Sequence, residues 1–124
     1  MTPNNTRGRI TGVGGIFFKS SDHKALRDWY QSKLGVPDDP ASGMLGGVVW
    51  SIFPSSTEYL NPSQASFMVN YIVDDLDAFL VKCAAHGVSI DPKREDHEYG
   101  RFAWIYDPDG NKIELWQPAN PASL

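Results

Sequence analysis

The chain has 124 residues, 41% hydrophobic and 21% charged, with a net charge of −4, which suits one domain that buries its own core. Its only paired basic residues near a charged run, Lys93-Arg94, are followed at once by Glu95 and Asp96. No basic face is therefore expected for nucleic-acid phosphates or for an anionic membrane surface. One cysteine, Cys83, permits no internal disulfide.

Residues 1–9 are polar and are read as a flexible N-terminus without the apolar core of a signal peptide. No apolar run is long enough to span a bilayer, so the expected location is the cytoplasm. Ile10 to Lys19 reads as a strand, with glycines at 12, 14 and 15 that allow a bulge or a close backbone approach. Ser20-Ser21-Asp22 can cap a helix, and Leu26, Trp29, Tyr30 and Leu34 follow at helical spacing before Gly35 and Pro37. The first helix is thus predicted over 22–34, packing Leu26, Trp29 and Leu34 on the sheet. Residues 36–47, rich in Pro, Asp and Gly, read as loop with a short hairpin. Val48 to Phe53 reads as a strand closed by Pro54, and 54–65 as a polar linker.

Phe67 to Val73 is a clear strand. Asp74-Asp75 caps a second helix with Leu76, Phe79, Leu80 and Cys83 on its apolar stripe, ended by His86-Gly87. Cys83 there reads as a small core residue. His23 and His86, at a helix start and a helix end, read as caps or surface. Val88 to Ile90 makes a short strand, 91–100 a charged loop, and Arg101 to Tyr106 a strand. Asp107-Pro108-Asp109-Gly110-Asn111 is a turn, because Pro sets φ and Gly and Asn tolerate positive φ. Lys112 to Trp116 is the last strand, and 119–124 is a tail.

Strand, Asp cap, helix and Gly stop occur twice, and each copy ends in a strand stopped by proline, at Pro54 and Pro118. The first copy is shorter: Gly35 to Trp50 spans 15 positions, Gly87 to Glu114 spans 27. The order Ile16-Phe17-Phe18 into Asp22, Trp29-Tyr30 before Leu34-Gly35, Val73-Asp74-Asp75-Leu76-Asp77-Ala78, His86-Gly87-Val88 and Asp107 through Pro118 resembles the vicinal-oxygen-chelate superfamily, that of glyoxalases, bleomycin-resistance proteins and extradiol dioxygenases. The resemblance covers about residues 10–118, with module one about 10–54 and module two about 66–118. It implies an α+β domain: two βαβββ modules forming a curved mixed sheet around a cavity, helices on the convex face. Many relatives are homodimers, and a homodimer is expected here, since open sheet edges need cover.

In metal-using relatives four positions point into the cavity, and carried over they are Gly15, Trp50, Met68 and Glu114. Glu114 alone offers a hard or borderline metal a donor, whereas a catalytic site needs about three protein ligands. The usual metal centre is therefore not expected, and no cofactor is. Glu114 has two readings: a carboxylate paired with a Lys or Arg such as Arg101, or a cavity group able to act as a base, the best candidate for a catalytic residue. Trp116 and Asn70 share the faces of Glu114 and Met68 by strand parity. His97 lies either in a solvated loop or in a rim that meets a ligand together with Tyr99 and Arg101. The face that Phe102, Trp104 and Tyr106 share is open. No Ser-His-Asp arrangement or phosphate loop is apparent, and the glycines at 12, 14 and 15 lie before a strand's apolar core, unlike a dinucleotide site.

The leading expectation is a pocket for a small organic molecule, lined by Trp50, Met68, Asn70, His97, Tyr99, Arg101, Glu114 and Trp116. One alternative is a metal-dependent lyase, isomerase or dioxygenase of the same superfamily, with a divalent metal shifted onto Glu114 and His97. Another is a dimerisation or regulatory module whose cavity is filled by its own side chains.

Overall fold

The structure is a computed structural model that describes residues 7–37 and 44–119. Along the chain run β1 (Ile10–Ser20), α1 (His23–Leu34), β2 (Met44–Leu45), β3 (Val48–Pro54), β4 (Phe67–Val73), α2 (Leu76–Ala85), β5 (Ser89–His97), β6 (Gly100–Tyr106) and β7 (Lys112–Pro118). They form one α+β sheet in the order β2-β3-β1-β4-β7-β6-β5. In each half the last strand lies parallel beside the first, β3 on β1 and β7 on β4. The two halves join through the antiparallel pair β1 and β4. The sequence repeat is thereby a pseudo-symmetric sheet. The second half is βαβββ, and the first, among the described residues, is βαββ with a β2 of two residues.

Local chemistry sets the helix ends. Asp22 accepts a hydrogen bond from the Ala25 amide at 3.0 Å, and Gly35 closes α1 in the left-handed region at φ 69°. Asp75 caps α2 through the Ala78 amide at 3.0 Å. Its neighbour Asp74 does something else. It accepts the Gly8 and Arg9 amides, both at 2.8 Å, and so fastens the start of β1.

The helix side of the sheet carries one core. Leu76 and Cys83 of α2 pack against Val73, Ala103, Ile105 and Leu115. Burial alone pushes the Cys83 thiol up from its ordinary pKa, as for an unreactive core thiol. The first helix is held less deeply. Tyr30 meets Trp50 edge to face at 5.2 Å, Leu26 is half-buried, and no α1 residue is fully buried. Trp29 and Leu34, expected in the core, are exposed, Leu34 to 60%. Trp29 lies about 100° around the helix from Tyr30, off the contact line.

Two segments differ from expectation. The charged stretch 91–97 is not loop but most of β5, paired antiparallel with β6 and irregular between Ile90 and Arg94. Charges and Pro92 suit it because it is an edge strand, with one side that needs no donors. Arg94 in it also binds α2, meeting Asp77 at 2.6 Å, and Arg101 of β6 meets the same carboxylate at 3.1 Å. Those guanidiniums, Arg94 first, hold the Asp77 carboxyl below its ordinary pKa. The second segment is the linker before β4. Leu60 and Ser63 in it are buried, Leu60 completely, and Leu60 packs with Phe17, Met68 and Trp104 on the face opposite the helices.

Candidate functional site

The helix-free face holds the cavity, and strand register decides what lines it. Gly15 pairs with Val49 on one side and Asn70 on the other, Asn70 pairs with Glu114, and Glu114 pairs with Trp104. One row thus crosses five strands. The next row along β7 puts Trp116 between Ile72 and Phe102. Pleating then aims alternate residues into the same space. The result is a cavity of about 230 Å³ lined by Gly14, Phe17, Val49, Asn70, Tyr99, Phe102, Glu114 and Trp116. Phe102 and Trp116 stand with parallel rings, 6.1 Å between centroids, as one wall.

Glu114 is the buried carboxylate of this face, 2% exposed. Its lateral neighbours both donate to it: Asn70 Nδ2 to Oε1 at 2.7 Å and Trp104 Nε1 to Oε2 at 3.0 Å. The third donor comes from the linker, where the Tyr59 hydroxyl meets Oε2. Among the described residues Glu114 joins no ion pair. Arg101, the partner considered from sequence, lies in the Asp77 network on the helix side. Lys112 passes over the Tyr59 and Trp104 rings at 5.8 and 5.4 Å and donates to the Tyr59 carbonyl at 3.0 Å, not to Glu114.

Of the residues expected to line the pocket, Asn70, Tyr99, Glu114 and Trp116 do so. Trp50 does not. It faces α1, touching Tyr30 and Phe18, and Val49 takes the cavity position. Counting back from Pro54 misplaces the register by one residue, which turns a side chain to the opposite face. Met68 is on the cavity face but is fully buried in the Leu60 cluster, paired with Phe17 rather than abreast of Glu114. His97 stacks on Tyr99 at 4.9 Å and hydrogen-bonds Glu95 at 2.9 Å, behind the rim that Tyr99 forms. Parity places Phe102, Trp104 and Tyr106 on the cavity side of β6 and turns Arg101 away. Tyr59 went unnoticed in the sequence. Its one signal was an apolar pair, Tyr59-Leu60, inside an otherwise polar linker.

The donor set does not fit the metal centre that the resemblance implies. Gly15 has no side chain, Trp50 faces the helix, and Met68 is a soft thioether buried in the Leu60 cluster, which leaves Glu114 as the one hard donor of the four carried-over positions. Among the described residues no three His, Cys, Asp or Glu side chains gather as a metal site.

Tyr59 has a further consequence. Although 40% of its surface is exposed, its hydroxyl meets a buried carboxylate, and burial and then Glu114 raise its pKa well above the usual tyrosine range. Tyr106 is pushed up to about 12 by burial and then by Asp91. In the unfolded chain tyrosines ionise near their ordinary value of about 10. The folded state keeps these protons longer, so stability is full below pH ~10 and falls as pH rises above it, for Tyr106 until about 12 and for Tyr59 beyond. Urea unfolding between pH ~9 and ~11.5 should show wild type losing stability more steeply than Tyr59→Phe. Parallel curves would show that the hydroxyl is not held by Glu114.

A sequence model of the Glyoxalase/Bleomycin resistance protein/Dioxygenase superfamily matches residues 15–115. No curated protein matches the chain in sequence. Among solved structures, a methylmalonyl-CoA epimerase from Mycobacterium tuberculosis aligns with TM-score 0.62 and 20% identity over 92% of each chain. The Streptomyces coelicolor methylmalonyl-CoA epimerase in complex with 2-nitronate-propionyl-CoA aligns at 0.61 and 15%, covering 90% of this chain and 100% of the other. A glyoxalase/bleomycin resistance protein/dioxygenase superfamily member from Vibrio splendidus aligns at 0.58 and 16%, covering 85% and 97%. At such identities the structural likeness is one of fold. The sequence match, spanning most of the chain and both halves of the repeat that builds this sheet, places the protein in the glyoxalase/bleomycin resistance/dioxygenase superfamily.

Proposed function

We propose that the protein binds a small, largely apolar organic molecule in the cavity of its helix-free face, without a divalent metal. The observation that supports this reading is the pairing of an apolar, aromatic-walled cavity with a Glu114 carboxylate whose two oxygens already accept from Tyr59, Asn70 and Trp104. A cavity of about 150 Å³ with apolar walls suffices for benzene, and drug-sized ligands need about 300 Å³ or more. At about 230 Å³ this one suits a molecule with a single ring.

The test uses protein stripped with EDTA and passed over a desalting column. Toluene is titrated against it and followed by ligand-observed NMR and thermal shift. Saturable binding that is unchanged when Mg²⁺, Mn²⁺, Zn²⁺ or Ni²⁺ is restored is the expected result. Binding that appears only with metal, or one tight divalent ion per chain in equilibrium dialysis, would overturn the reading.

A further inference from the structure

We propose that a second copy of this chain covers the strip of sheet between α1 and α2, each copy laying its α1 into the gap of the other. The surface lies on the helix side, away from the cavity, so it does not depend on the pocket reading.

The strip is built by the two central strands. Across the β1–β4 pair, Phe18 meets Phe67, Ile16 meets Val69 and Val13 meets Tyr71. Tyr71 packs on the helix-side core, and strand parity puts the other five on that same side. None of the six is charged and none is fully buried among the described residues; Val13 and Phe67 are 42% and 41% exposed. An antiparallel face left to water carries polar residues by alternation. This one carries three aromatic rings and three branched aliphatic side chains instead.

The gap has the width of a helix, and a helix stands beside it. α1 packs on β3 and β1, and α2 on β5, β6 and β7. Counted across the sheet at ~4.8 Å per strand, their axes lie roughly 17 Å apart. Helices pack at about 8–10 Å, so one more helix fits between them. In α1, Arg27 and Tyr30 turn to β3, through the Ile52 carbonyl and the Trp50 ring. At about 100° per residue, Trp29 then lies on the side of α1 toward β1, at the rim of the gap, and it is 47% exposed. Ala25, Trp29 and Ser32, all exposed, form the outward stripe of the helix. One ring between two small residues lets such a helix lie close on a sheet. A two-fold axis along the strands, between α1 and the gap, sends each α1 into the gap of the other copy. The four helices then form one shared layer between two sheets.

Area and edges favour this occupant. The exposed parts of the strip and of Trp29 amount to roughly 400 Å², at about 150–250 Å² for each large side chain. One side of a standard interface buries about 800 Å², a little over half of it apolar, so the strip supplies about what one partner contributes. The sheet edges are poorer docking sites. β2 is two residues long, Arg27 takes the Ile52 carbonyl of β3 beyond it, and β5 carries Pro92 among its charges.

The test is sedimentation velocity of the full chain at tens of micromolar, where a species of twice the 13.8 kDa chain mass is expected. Trp29→Glu and Val13→Lys alter side chains that are exposed within one chain. Each should keep the circular dichroism of wild type and raise the dissociation constant of the dimer at least about hundredfold, because the interface would bury an unpaired charge. Val81→Glu, at an exposed site one turn beyond Asp77 on the β5 side of α2, should leave the dimer intact. Hydrogen exchange on wild type gives a second reading that needs no variant: α1 amides should gain protection as concentration rises, and β5 amides should not. A monomer at tens of micromolar would overturn the proposal, whether the strip stays bare or another part of this chain covers it. A dimer that the folded variants leave intact would overturn it too, as would protection that rises at β5 and not at α1, because the interface would then lie elsewhere.

Discussion

Replacing Glu114 with leucine is expected to cost the fold about 3–5 kcal/mol, a large part of the roughly 5–15 kcal/mol that holds an ordinary domain. The cause is not the loss of a charge but the stranding of donors. Trp104 Nε1 and Asn70 Nδ2 are buried and directed at the carboxylate, and neither finds water when it goes. Tyr59 loses less, because part of its surface already reaches solvent. Glu114→Gln keeps the shape and one acceptor oxygen but turns an NH₂ group toward a donor, and should cost about 2 kcal/mol. Urea unfolding at neutral pH measures both. A change of less than about 0.5 kcal/mol for the leucine variant would mean that the three donors are satisfied some other way. Glu114 is thus a structural centre of the face, though not through the ion pair with Arg101 weighed from sequence.

The second large effect is expected at Leu60. Leu60→Ala should destabilise the protein by about 2–4 kcal/mol, because it empties a fully buried site among Phe17, Met68 and Trp104. It should also loosen the linker that carries Tyr59, the next residue. Leu34→Ala, at an exposed leucine of α1, is the control and should stay within about 0.5 kcal/mol of wild type. Equal effects at the two leucines would show that the linker does not pack on the sheet.

The sequence by itself determined what depends on neighbours along the chain. Asp22 and Gly35 bound α1, Asp75 starts α2, β-branched and aromatic runs mark β4 and β6, and Asp107 to Asn111 make the turn into β7. Each is a contact or a steric preference spanning a few residues, so it is written locally. The repeat of these signals carried the superfamily resemblance, and parity along β4 and β7 put Asn70, Glu114 and Trp116 on one side. Only the tertiary structure decided what those side chains meet. Trp50 turned to the helix because parity fixes that neighbours alternate, not which of them faces the cavity, and one residue of register reverses the answer. The run 91–97 became strand because its charges lie at a sheet edge, a position that composition does not reveal. Tyr59 reached Glu114 across 55 positions of sequence, and Leu60 filled the space beneath it. Contacts of that separation are set by which surfaces the folded sheet leaves uncovered, a property of the assembled strands and of no segment alone.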